Sequence, residues 1–222
     1  MPLPKDGAPS SMTLVIGSKN FSSWSMRPWL ALKRCGVPFD EVLIPLYRPD
    51  TDDRIRPHSP SGFVPVLKHG PLTIWDSLAI CEYLAERFPD SGLWPSAPEA
   101  RAAARCVSAE MHSGFARMRQ ELSMNCKAFF PGFAVPEEAA PEVARVIEIW
   151  AECRRRYGAG GDYLFGTFSI ADAMYAPVVS RFQTYDVKLE GAAADYASAI
   201  RETPEFREWA AAARMEPDQP RA

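Results

Sequence analysis

At 222 residues, with 47% hydrophobic and 24% charged residues, the chain has an ordinary globular composition and is long enough for one large domain or two smaller ones. A formal net charge of −3 gives no reason to expect a nucleic acid or an anionic membrane as partner, and no apolar run reaches the length that spans a bilayer. Five cysteines (35, 81, 106, 126 and 153) without a CxxC pair suggest neither a disulfide framework nor a zinc site.

The three histidines (58, 69 and 112) lack metal-ligand spacing as well, so no metal is expected. Free thiols of this kind fit a reducing cytoplasm. Residues 1–11, proline-rich and without an apolar core, read as a flexible tail and not as a signal peptide.

Thr13-Leu14-Val15-Ile16 is the first β-prone run. It leads through Asn20-Phe21-Ser22-Ser23-Trp24-Ser25-Met26-Arg27-Pro28 into a helix expected over 25–35 and stopped by Gly36. A strand, a serine-rich loop and a helix start can seat an anion, because the first helical N–H groups are unpaired and carry partial positive charge. On this stretch alone the serines read first as caps, and spacing does not say whether an anion seated there is a phosphate, a carboxylate or a thiolate. With Ser25 as N-cap, Pro28 falls at the third helical position, where its missing N–H does no harm. Ser22 and Ser23 then stand in the mouth of the loop.

Further strands are expected over 39–44, 66–68 and 72–75, the last two joined by the turn Lys68-His69-Gly70-Pro71, with a helix over 76–87. Any helix in the Pro-, Asp- and Arg-rich stretch 45–62 is short. The resulting β-α-β and β-β-α halves make a small α/β domain over 12–88. Helix breakers then give a linker over 89–97. Beyond it an all-α domain is expected over 98–214, with helices at 98–125, 139–157, 169–184, 192–202 and 204–214, and residues 215–222 fraying as a tail.

Two further signals lie in the α/β half. Phe63-Val64-Pro65-Val66 puts a proline at a strand entrance, as an edge-strand proline or as a cis bond that aims the neighbouring backbone groups outward. Asp76-Ser77 opens a second helix, as a cap or as a second anion seat. In the helical half Met111, Phe115, Met118 and Leu122 recur at helical spacing, a stripe that faces a core or a pocket.

Taken together, Ser22-Ser23-Trp24-Ser25-Met26-Arg27, Val64-Pro65, Asp76-Ser77-Leu78-Ala79-Ile80 and the capping-box pattern Ser169-Ile170-Ala171-Asp172 resemble the soluble glutathione S-transferases of the serine-type bacterial class, in order and across roughly residues 12–214. The resemblance implies a thioredoxin-like N-terminal domain that binds glutathione, an all-helical C-terminal domain and a homodimer. It implies that the hydroxyl of Ser22, five residues before Arg27, holds the glutathione sulfur, with Ser23 as second choice. Val64 beside Pro65 would pair with the cysteinyl part, Ser77 would hold the γ-glutamyl carboxylate, and Asp76 would face its ammonium. Ser169 and Asp172 would be structural.

Phe63 departs from the family, which often has Lys or Gln there for the glycyl carboxylate; Arg54, Arg56 and His58 are nearby candidates to replace it. Trp24, with Met111, Phe115 and Met118, would wall the pocket for a small apolar electrophile, and Phe129, Phe130, Tyr175 and Phe182 are further possibilities. The implied activity is a glutathione transferase. The alternatives are a glutathione-dependent isomerase of the zeta type, whose loop has cysteine where Trp24 stands, and a non-catalytic module that keeps the fold.

Overall fold

The computed structural model describes residues 11–217; the expected tail over 1–11 lies, except for Ser11, outside the described residues. Four strands form one mixed sheet in the order β2-β1-β3-β4. β1 (Met12–Gly17) runs parallel to β2 (Phe39–Ile44) and antiparallel to β3 (Val66–His69), which pairs antiparallel with β4 (Leu72–Trp75). Val15 lies opposite Val42 and Leu14 opposite Leu67.

The period-2 alternation of a strand assigns β1 to two cores. Leu14 and Ile16 point into the large core with Met26, Trp29, Leu30, Ile80 and Leu84 of α1 (Ser23–Cys35) and α3 (Ser77–Arg87). Val15 points the other way, into a small cluster with Ile44, Val66 and Ile55 of the short α2 (Thr51–Ile55). One residue of slip in β1 would exchange these faces, which is what sets its register.

The rest of the chain is helical: α4 (Pro98–Ser113), α5 (Ala116–Glu121), α6 (Ala140–Tyr157), α7 (Ile170–Thr184), α8 (Gly191–Glu202) and α9 (Pro204–Met215). α7 is buried along nearly its whole length and packs on α1, so that α1 is held between the sheet and the helical half. α9 reaches α1 too, where Trp29 and Trp209 meet edge to face at 5.3 Å. At the start of α7, Asp172 accepts from the Leu164 N–H at 3.0 Å and from the Ser169 N–H and O–H at 2.8 and 2.9 Å. These bonds satisfy donors that are cut off from water at a helix start.

Four expectations are corrected. The N-cap of α1 is Ser22, whose Oγ accepts from the Ser25 N–H at 3.3 Å, so the helix begins earlier than expected and Pro28 lies inside it. The single helix over 98–125 breaks at Gly114-Phe115, where Phe115 takes φ 60. A Cβ at Gly114 would stand 2.8 Å from the Glu110 carbonyl oxygen. Arg119 closes the break by donating to the Gly114 carbonyl at 2.9 Å, to that of His112 at 3.3 Å and to that of Met111, which are the carbonyls that the end of α4 leaves unpaired.

The break turns the expected pocket stripe inward. Met111, Phe115, Met118 and Leu122 are all buried in the large core and are not pocket walls; Tyr175 and Phe182 are core residues as well. Finally, α9 continues through Met215, and the Glu216 carboxylate accepts from the Lys19 and Asn20 amides at 2.6 and 3.1 Å. That stretch is therefore bonded to the loop before α1 and does not fray at 215–216.

Candidate active site

Two helix starts and one strand entrance meet where the α/β half faces the helical half. At the start of α1, Ser22 Oγ donates to Ser25 Oγ at 2.7 Å, and Ser25 Oγ also accepts from the Gly17 N–H at 3.1 Å. This chain of bonds ties the helix start to the end of β1, and its serines are buried. Ser23 faces away from it: its Oγ accepts from Nη2 of Arg181 on α7 at 3.0 Å.

Trp24, next in sequence, is 37% exposed. Its ring lies 4.2 Å from the Arg27 guanidinium and 4.6 Å from that of Arg119, both within cation–π range. His112 meets it edge-on at 5.3 Å.

Asp76 caps α3, with Oδ1 accepting from the amides of Leu78 and Ala79 at 2.9 and 3.1 Å, while Oδ2 stands 3.0 Å from His112 Nε2. Its backbone is at φ 75, a region that side chains other than glycine rarely occupy. Ser77 is buried, and Nη1 of Arg27 lies 3.4 Å from its Oγ. The Val64–Pro65 bond is cis. Phe63 just before it is 75% exposed, with its backbone braced: its carbonyl accepts from Ser59 Oγ at 2.6 Å and its N–H donates to the same atom at 3.2 Å.

The electrostatics are strongly positive. Arg27 is wholly buried, and burial, followed by the charges of Arg119 and Arg181, holds its pKa well below the ordinary value. Its Nε has no hydrogen-bond partner among the described residues. Burial also lowers the His112 pKa, against the pull of Asp76. Such a cluster favours an anion beside it. Cys81, close to Arg27, is raised by burial far above the thiol range, so it is not a nucleophile. No cluster of three His, Cys, Asp or Glu side chains able to hold a metal occurs among the described residues.

Thus Ser22, Ser23, Trp24, Asp76 and Ser77 come together, and Val64-Pro65 stands at the entrance of the neighbouring strand β3. Of the proposed substitutes at the glycyl end, Arg54 pairs with Asp50 at 3.9 Å and His58 Nδ1 lies 3.1 Å from Lys68 Nζ. Phe130 is exposed and tilts against Tyr185. Phe129 is exposed and lines a cleft of about 320 Å³ with Cys126, Ser180, Thr184, Phe206 and Arg214. Arg119 and Arg181 carried no motif in the sequence and were missed there. Arg181 stands at a helical position that periodicity assigns only to a buried face.

A four-stranded sheet with serine hydroxyls at two helix starts, backed by an all-helical half, defines a thioredoxin-like fold of the glutathione-transferase type. Two family models match, "Glutathione S-transferase, N-terminal domain" over residues 21–87 and "Glutathione S-transferase, C-terminal domain" over 126–212. Among curated proteins, maleylacetoacetate isomerase of Rattus norvegicus is 31% identical over 182 residues, 75% of this chain and 76% of that protein.

"Glutathione S-transferase 1" of Dianthus caryophyllus is 37% identical over 95 residues; the chain spans only 41% of its length. Of solved structures, a maleyl pyruvate isomerase described as a bacterial zeta-class glutathione S-transferase superposes with TM-score 0.72 at 22% identity, covering 92% of this chain and 99% of that one. A glutathione transferase homolog from Burkholderia with bound glutathione gives TM-score 0.68 at 23% identity, covering 92% and 98%; both likenesses concern the fold. The chain belongs to the glutathione S-transferase family.

Proposed function

We propose that this protein is a glutathione transferase that binds glutathione as co-substrate, holds its sulfur as thiolate at the start of α1 and directs it at a small apolar electrophile. The observation that carries the reading is the grouping of the Ser23 hydroxyl, Ser77 and Asp76 about Arg27, Arg119 and Arg181, beside the Ser22 N-cap of α1. A free thiol has a pKa of about 8.5, so only a few per cent is thiolate at neutral pH. Lowering it by about two units takes roughly 2.7 kcal/mol in favour of the anion. One hydroxyl bond to the charged sulfur contributes about 1.5–3 kcal/mol, and a helix start about 0.3–1 more, which is sufficient.

In this reading Ser77, with Arg27 behind it, takes the γ-glutamyl carboxylate, and Asp76 takes the ammonium. Val64 beside Pro65 pairs its backbone with the cysteinyl part. Phe63 offers no charge to the glycyl carboxylate. Trp24 is the wall for the electrophile, the protein works as a cytoplasmic homodimer, and 89–97 is the linker between its two domains. Titration calorimetry with glutathione tests the reading together with the ultraviolet absorbance of the bound thiolate. Micromolar to millimolar binding with a thiol ionised near neutral pH is expected, and no detectable binding would leave only a non-catalytic scaffold.

A second reading, glutathione-dependent isomerisation, is favoured by the relatives named maleylacetoacetate isomerase. Trp24 in place of the zeta-type cysteine opposes it. Turnover of a cis-enedioic diketo acid without net consumption of glutathione would decide for isomerisation.

A further inference from the structure

The proposed function leaves open which of two adjacent hydroxyls meets the sulfur, and the hydrogen bonds separate them. Ser22 is committed twice within α1. Its Oγ accepts the Ser25 amide, and its proton is directed at Ser25 Oγ, 2.7 Å away. The Gly17 N–H occupies the far side of that acceptor at 3.1 Å. To reach a sulfur, Ser22 would have to abandon a bond inside a buried chain that joins β1 to α1.

Ser23 stands at the first helical position and has no capping duty. Its oxygen accepts a charged bond from Arg181, and its own proton has no acceptor among the described residues. Arg181 is held where it is: it is 5% exposed, and its Nη1 donates to the carbonyls of Leu122 and Arg119 at 2.5 and 3.2 Å. The Arg27 guanidinium and the Cys126 thiol are among the titratable groups that feel its charge, and Arg119 touches it through its carbonyl, with Asp76 and His112 beside Trp24.

A guanidinium donating to a hydroxyl oxygen draws electron density from the O–H and makes it a stronger donor. It also leaves the hydroxyl's own proton uncommitted among the described residues. We propose that Ser23 is the hydroxyl that holds the thiolate, with Arg181 on α7 as its positioning residue, and that Ser22 is the cap of α1. The proposal rests on the reading of this cleft as a glutathione site. In the step itself the glutathione S–H bond ionises, its proton passes to bulk water, and Ser23 keeps its own proton while donating a hydrogen bond to the sulfur anion. The helical half therefore takes part in thiol activation across 158 positions of sequence.

The test compares Ser22→Ala, Ser23→Ala, Arg181→Gln and Arg181→Lys in the full-length protein. The thiol of bound glutathione is titrated by ultraviolet absorbance, and kcat/KM with 1-chloro-2,4-dinitrobenzene is followed against pH. Ser23→Ala is expected to move both profiles alkaline by about one to two units, about 3- to 25-fold less thiolate at neutral pH from a starting pKa of about 6.5. Arg181→Gln moves them in the same direction and Arg181→Lys restores part of the shift, which a purely structural role would not produce. Ser22→Ala lowers the melting temperature and shifts the titration by less than a third as much as Ser23→Ala.

A larger shift for Ser22→Ala, or an unmoved titration in Arg181→Gln, would overturn the assignment. So would wild-type glutathione bound with an unperturbed thiol, which would leave the binding site standing. Failure of the wild-type protein to bind glutathione would instead remove the parent reading and the assignment with it.

Discussion

The Asp172 carboxylate is the most heavily committed buried acid in the helical half, and its removal has a calculable consequence. Asp172→Ala deletes the acceptor for the Leu164 and Ser169 amides and for the Ser169 hydroxyl. Each buried amide left without a partner costs about 1–3 kcal/mol, so the two together cost about 4 kcal/mol. In a protein of this size that corresponds to a melting temperature lower by about 10 °C.

Differential scanning calorimetry with urea unfolding measures it; a loss under about 1 kcal/mol would refute the idea that this acid organises the start of α7. The pH dependence gives a second reading. Burial pushes the Asp172 carboxyl up to about 6 in spite of its hydrogen bonds, whereas in the unfolded chain it titrates near 3.9. A raised pKa means that the neutral form favours folding. The contribution is full below pH about 4 and is lost as pH rises through about 6, up to about 3 kcal/mol in all. Asp172→Asn lacks this titration, so the stability gap between wild type and this variant should narrow from pH 4 to pH 7; a gap that widens would mean that the hydrogen bonds outweigh burial.

Glu216→Ala releases the Lys19 and Asn20 amides, a loss of about 1–2 kcal/mol; faster hydrogen exchange at those two amides, with a lower kcat/KM, is expected, and unchanged exchange would show that the clasp does not hold the loop. Phe63→Lys places a cation beside the proposed glycyl end and should tighten glutathione about threefold by calorimetry, the order of an exposed ion pair; unaltered affinity would move that carboxylate elsewhere. Trp24→Ala removes an exposed aromatic wall and should raise KM for an apolar electrophile about tenfold, and an unchanged KM would take Trp24 out of the pocket.

The alternation in Thr13–Ile16 reads directly as a strand with two faces, and the 3.6-residue period of Leu78, Cys81 and Leu84 reads as a helix, because both depend on local geometry that the residues themselves carry. The Asp76-Ser77 helix start and the Ser169–Asp172 box are equally local, and residue order sufficed for the α/β half, the helical half and the serine-rich loop between β1 and α1. The break at Gly114-Phe115 was not legible, since an apolar stripe continues through it in register. Only the packing shows that Arg119 folds back to close α4 and that Met111, Phe115 and Met118 turn into the core.

The difference in hydrogen bonding between Ser22 and Ser23 has the same origin. Two identical side chains side by side carry no difference in sequence. What separates them is a guanidinium at position 181 and an amide at position 17. Hydrogen bonds and charges act through space over a few ångströms, and only the folded chain brings such distant residues that close.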